Sequence, residues 1–149
     1  MNNPLVEIFT NKIFLTTILA WLCAQSIKIA ISLVVTKRFN FKLLLGTGGM
    51  PSAHAAGVSA LAVSVGKVTG FGSPIFMVAV FFAFITMFDA QGVRRAAGFQ
   101  AATLNKIAEE IYFNRGIKQD RLKELLGHTP VEVFVGAFLG TIIALFMFK

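Results

Sequence analysis

Residues 13–35 form an unbroken run of 23 in which Lys28 is the one charged side chain. As a helix, such a run covers roughly 35 Å at ~1.5 Å per residue, enough to cross a hydrocarbon core of ~30 Å. It is too long for a signal-peptide core and lacks a small-residue cleavage site, so it reads as a retained span. Further apolar segments lie at 52–66, 74–90 and 131–148, and none shows the alternation of a lipid-facing barrel strand. The expected fold is therefore all-α: one membrane domain over 1–149, a bundle of about four transmembrane helices with a cytoplasmic helical connection over 91–130. Composition agrees. Hydrophobic residues make up 56% of the chain and charged residues 14%, against ~25% charged in soluble domains.

The segment 52–66 is the least hydrophobic of the four, but its small residues recur at every fourth position: Ser52, Ala56, Ala60 and Ser64, with Ala53 and Gly57 beside them. Such a surface lets neighbours approach closely on several sides, which places this helix at the centre of the bundle. Gly136 and Gly140 give the last segment a GxxxG pair. Contact within the chain is preferred over a homodimer as its use.

The connection between the first two spans carries Lys37, Arg38 and Lys42 and no acid, and the 91–130 connection holds seven basic and four acidic residues. With four spans these two loops share a side, and the positive-inside rule makes it cytoplasmic. The expected location is the inner or plasma membrane. The net charge of +7 suits anionic lipid headgroups or a phosphorylated substrate. A nucleic-acid partner is set aside, because the basic residues lie in loops between spans. Cys23 is the one cysteine, which excludes an internal disulfide or a multi-cysteine metal site.

At the cytoplasmic start of the second segment stands Gly48-Gly49-Met50-Pro51-Ser52-Ala53-His54. Glycines let backbone N–H groups approach a ligand, a helix start offers unpaired donors, and proline pre-sets the first helical φ. With histidine as a proton-exchanging group, the stretch describes a phosphate cradle beside a proton donor; a plain loop-to-helix start is the bland alternative. Other polar groups fall at the same end. Gln25 and Lys28 are one turn apart on one face of the first span. Asp89 closes the third span, Arg94 and Arg95 follow it, and Gly127-His128-Thr129-Pro130 opens the last.

Each has a structural alternative. Lys28 can snorkel to the interface, and Asp89 can serve as counter-ion to Lys28, Arg94 or Arg95. Thr129-Pro130-Val131-Glu132 is a capping box, in which Glu132 reaches back to the helix start rather than to His128. Isolated carboxylates make a poor metal cage. Residues 96–113 read as an amphipathic helix with Leu104, Ile107, Ala108 and Ile111 on one stripe, suited to the membrane surface or the bundle end. A short second helix is expected at 119–126.

Gly-Gly-Met-Pro-Ser-Ala-His, a later Asp-Ala-x-Gly-Val-Arg-Arg and Leu-Gly-His-Thr-Pro-x-Glu-Val together resemble the divergent branch of the type 2 phosphatidic acid phosphatases. That branch is related to acid phosphatases and vanadium-dependent haloperoxidases. The resemblance runs over about residues 25–140. The parent pattern is KxxxxxxRP, PSGH and SRxxxxxHxxxD. Pro51-Ser52-Ala53-His54 matches the second part with Ala for Gly, and His128 with Glu132 matches the end of the third with Glu for Asp. Arg121 lies seven residues before His128 where the pattern has six, and Arg38 lies ten after Lys28 without the proline. The resemblance implies His128 as nucleophile, oriented by Glu132, and His54 as leaving-group acid. The phosphate would be held by Lys28, Gly48, Gly49, Ser52, Arg121 and Arg94 or Arg95, with Gln25 and Asp89 in support.

The expected activity is metal- and cofactor-independent hydrolysis of a membrane lipid phosphate or lipid-linked phosphate through a phosphohistidine. The alternatives are a non-catalytic module that binds or moves anionic lipid, and a membrane assembly subunit.

Overall fold

The computed structural model describes residues 3–37, 49–113 and 127–149. Local caps divide the chain into helices. Asn3 accepts a hydrogen bond from Leu5 N ahead of Pro4, opening α1 (Pro4–Thr10). Asn11 ends α1 and opens α2 (Lys12–Thr36), its side chain accepting from Ile13 N and Phe14 N. Ser52 caps α3 (Ala53–Thr69), which stops at Gly70 with φ 89°. Ser73 and Pro74 open α4 (Pro74–Gln91). Gly92 separates it from α5 (Val93–Phe113), and α6 (Pro130–Met147) begins at a Thr129–Glu132 capping box.

α3 touches α2, α4 and α6; α2 and α6 also meet. The interior is built of small side chains in layers: Ala20, Ala60 and Ala144; Ala24, Ala53 and Ala56; Ala55, Ala90 and Val133. Large aromatics point outward instead, with Phe81, Phe84 and Phe88 of α4 and Phe134, Phe138 and Phe146 of α6 all exposed. Small residues inside and phenylalanine outside is the arrangement of helices that associate by close packing in lipid. The glycine pair of α6 is used within the chain. A Cβ on Gly136 would strike the carbonyl of Ser52, and one on Gly140 the carbonyl of Ala56.

Among the described residues, the stretches long and apolar enough to cross a membrane are Lys12–Val35, Pro130–Met147 and the window that begins at Pro74. α3 falls outside that group because its 17 residues are fewer than a crossing requires, and its Ala, Ser and Gly, which let it pack centrally, also lower its hydropathy. α1 was not expected from the sequence, although Asn3-Pro4 and Asn11 are its start and stop signals. α5 starts at residue 93 rather than 96, and among the described residues it packs on α4 alone. The helix expected at 119–126 lies outside the described residues.

The helix ends that matter are stitched together by backbone hydrogen bonds. Ser52 N donates to Glu132 O and His128 N to Ala90 O, both at 3.0 Å. The starts of α3 and α6 therefore lie with the end of α4, and the second half of α2 joins them where Lys28 meets Gly49.

Candidate functional site

Six of the expected residues converge at this end. His128 is 2% exposed, held between its backbone bond to Ala90 and its ring bond to Glu132. The Nδ1 of His128 stands 3.0 Å from Glu132 Oε2, and Thr129 N donates to the same oxygen at 3.1 Å. A carboxylate only accepts, so the proton of this bond sits on Nδ1 and the lone pair of a neutral ring on Nε2. Among the described residues that Nε2 is buried without a hydrogen-bond partner. Capping and orienting are thus done by one carboxylate: Glu132 N is capped by Thr129 Oγ1 at 3.4 Å while the Glu132 side chain reaches both the helix start and the imidazole.

His54, in the first turn of α3, places its ring centroid 6.3 Å from that of His128 with the planes at 63°. Ser52 is fully buried, its hydroxyl accepting from Ala55 N at 3.4 Å. Lys28 is 4% exposed and lies within electrostatic reach of Glu132. An ammonium so withdrawn from water costs several kcal/mol unless charges or donors compensate. Its aliphatic stem runs beneath Gly49, where φ is +83° and a Cβ would lie 3.4 Å from Lys28 Cγ and Cδ. Glycine at that position meets both demands, the left-handed backbone and the close approach to the lysine.

Asp89 is half-buried on the last turn of α4, one residue before the carbonyl that anchors His128. Gln25 is buried one turn before Lys28. The backbones of Arg94 and Arg95 open α5, and their side chains, like Gly48 and Arg121 as a whole, lie outside the described residues. Among the described residues no three His, Cys, Asp or Glu side chains gather closely enough to share a metal ion.

Three contributors escaped the sequence. The Ala90 carbonyl fixes the backbone of His128, and it carries no side-chain signal. Trp21 and Gly57 flank His54 along a groove of about 440 Å³; the clue to Gly57 was a glycine in mid-helix, read there as one more small packing residue.

An imidazole held at Nδ1 by a carboxylate, a second imidazole beside it and a buried lysine make an arrangement suited to binding an anion and moving a proton. The profile described as Divergent PAP2 family matches residues 9–143. A membrane protein of Bacillus subtilis (strain 168), YuiD, described as uncharacterized, is 43% identical over 153 residues, covering 94% of this chain and 96% of its own. No solved structure matches the chain. The family match runs through Lys28, Ser52, His54, His128 and Glu132 alike, and the chain belongs to the divergent PAP2 family.

Proposed function

We propose that the protein is a membrane phosphatase of lipid-linked or amphiphilic phosphate esters, working through a phosphohistidine on His128 without a metal. The observation that carries this reading is the pairing of His128 Nδ1 with Glu132 and the buried, unpartnered Nε2 on the opposite side of the ring. A nucleophile held by a third group is the general signature of covalent catalysis.

In the first step Nε2 attacks phosphorus, the P–O bond to the alcohol breaks, and a protonated His54 gives its proton to the departing oxygen. The ring of His128 becomes cationic as the N–P bond forms, and Glu132 stabilises it through the Nδ1–H bond. In the second step His54, now neutral, takes a proton from water, whose oxygen attacks phosphorus. The N–P bond breaks and inorganic phosphate leaves, returning the electron pair to Nε2. Lys28 supplies positive charge beside Gly49 for the phosphoryl oxygens, at the positive end of the α3 dipole. The positive charge of the two connections supports a cytoplasmic side for this end under the positive-inside rule.

The reading is tested by phosphate release from purified protein in liposomes. The panel holds diacylglycerol and polyprenyl phosphates and diphosphates, with EDTA present, for wild type and His128→Ala. Release that persists in EDTA and vanishes in the variant supports the reading. Binding of the same lipids by both proteins with no release overturns it in favour of a non-catalytic lipid-binding module.

A further inference from the structure

α2 and α4 both pack on α3 but, among the described residues, not on each other. The gap between them, floored by α3, is the 440 Å³ groove that begins at His54 and runs past Gly57 to Leu61, with Trp21 on one wall and Phe82 on the other. Its surface is apolar. The hydroxyl of Thr17, which lines it, already donates to Ile13 O at 2.9 Å, leaving no donor demand in the wall. A second cavity of about 420 Å³ shares Thr17 and Leu61 and continues past Phe14 to Ile8 of α1. Along α2 the two extend from Trp21 to Ile13, roughly 12 Å at ~1.5 Å per residue, close to one leaflet of a ~30 Å hydrocarbon core.

Gly57 shows that the groove is not a packing defect. Glycine inside a helix costs about 1 kcal/mol relative to alanine. At Gly136 and Gly140 a backbone carbonyl of α3 forbids any Cβ, whereas a Cβ on Gly57 meets only Trp21 Cβ, at an ordinary 3.9 Å. Close packing therefore does not require glycine here. What glycine does is keep a side chain out of the groove one turn from His54.

We propose that this groove is the tail site of the substrate: one extended hydrocarbon chain lies along α3 between α2 and α4, with its phosphate at His54 and His128. This rests on the phosphatase reading for the head group and names the ligand class as a single-chain amphiphile, acyl or isoprenoid. The occupant follows from continuity, since His54 belongs both to the groove and to the charged cluster, and from the opening between α2 and α4 toward lipid. A chain leaving the bilayer for the groove exchanges one apolar surrounding for another. The site therefore acts by shape and contact, fixing the depth and direction at which the phosphate meets His128.

The test uses hexadecyl phosphate and farnesyl phosphate, each with a photoreactive diazirine in mid-chain, and a hexadecanol probe without phosphate, on full-length protein in nanodiscs. Adducts are mapped for wild type, Gly57→Leu and Leu61→Trp. The expected result is labelling concentrated at Ile18, Trp21 and Leu61 by a phosphate probe, at least tenfold above the alcohol probe and at least tenfold lower in both variants. Preference for one phosphate probe tells a linear chain from a branched one. The ratio of turnover on hexadecyl phosphate to that on butyl phosphate also falls at least tenfold in the variants.

Equal labelling by the alcohol probe assigns the groove to bulk lipid and overturns the proposal. So does labelling spread over the outward phenylalanines of α4 and α6, or labelling lost only in a dimeric fraction, which gives the groove to a second copy. Groove adducts without phosphate release from any ester overturn the catalytic reading and leave the tail site standing. Release without groove adducts does the reverse.

Discussion

A single oxygen, Oε2 of Glu132, lies 3.0 Å from His128 Nδ1 and 3.1 Å from the backbone nitrogen of Thr129. The start of α6 and the orientation of the imidazole are therefore set by one side chain. Glu132→Gln keeps an acceptor for both but removes the charge that would stabilise a cationic ring. Turnover is expected to fall by about two orders of magnitude or more, in line with neutralising the orienting carboxylate of other histidine sites, with the thermal midpoint nearly unchanged. Glu132→Ala is expected to lose the cap as well, at about 1 kcal/mol. Turnover and thermal unfolding, measured side by side in detergent, separate the two effects.

His54 has different work in the two steps, and the leaving group can separate them. With p-nitrophenyl phosphate the departing phenolate needs little protonation, so His54→Ala should still form the phosphoenzyme but hydrolyse it slowly. The expected outcome is a burst of about one p-nitrophenolate per site followed by a much reduced steady rate, read by rapid-mixing absorbance. An alkyl phosphate, whose alkoxide needs the proton, should give no burst in the same variant.

Lys28 and Gly49 meet across about twenty residues of chain, the lysine stem lying 3.4 Å from where a Gly49 Cβ would be. Lys28→Met preserves most of the stem and removes the charge. If the ammonium binds phosphate equally in the ground and transition states, KM rises by at least tenfold, about 1.4 kcal/mol, with kcat little changed. Steady-state kinetics over a range of substrate concentration checks the split.

Gly136 and Gly140 hold α6 against the carbonyls of Ser52 and Ala56. Alanine at either position forces two backbones apart, with an expected loss of about 1–3 kcal/mol from overpacking. Gly136→Ala also moves Ser52 relative to Glu132 and should reduce turnover more than stability alone explains. Gly72, with nothing near a prospective Cβ, is the control: Gly72→Ala should leave the melting curve in place.

The three long apolar helices were legible because length and hydropathy are local properties, and the central place of α3 because its small residues recur at the helical period. Both roles of Glu132 were legible too, but not their union in one atom. The capping box spans three residues, Thr129 to Glu132, and the His–Glu pair four, His128 to Glu132, and only the side-chain conformation shows that one oxygen serves both. The meeting of Lys28 with Gly49 depends on the relative height of two helices, which no local pattern encodes. The groove beside His54 is a gap between α2 and α4 and so belongs to no single segment; Gly57 was its one trace in the chain. α1 shows the reverse case, since its caps were visible at Asn3-Pro4 and Asn11 but its seven residues carried no periodic signal.

The central claim, that phosphate is transferred to Nε2 of His128, is tested most directly by trapping the intermediate. Full-length protein is mixed with a 32P-labelled lipid phosphate, quenched in base, digested and mapped by mass spectrometry. The account predicts one labelled site, at His128, lost in His128→Ala and accumulating in His54→Ala with an activated ester. Label on another residue, or substrate turnover without any covalent label under conditions where His54→Ala should retain it, would contradict the account.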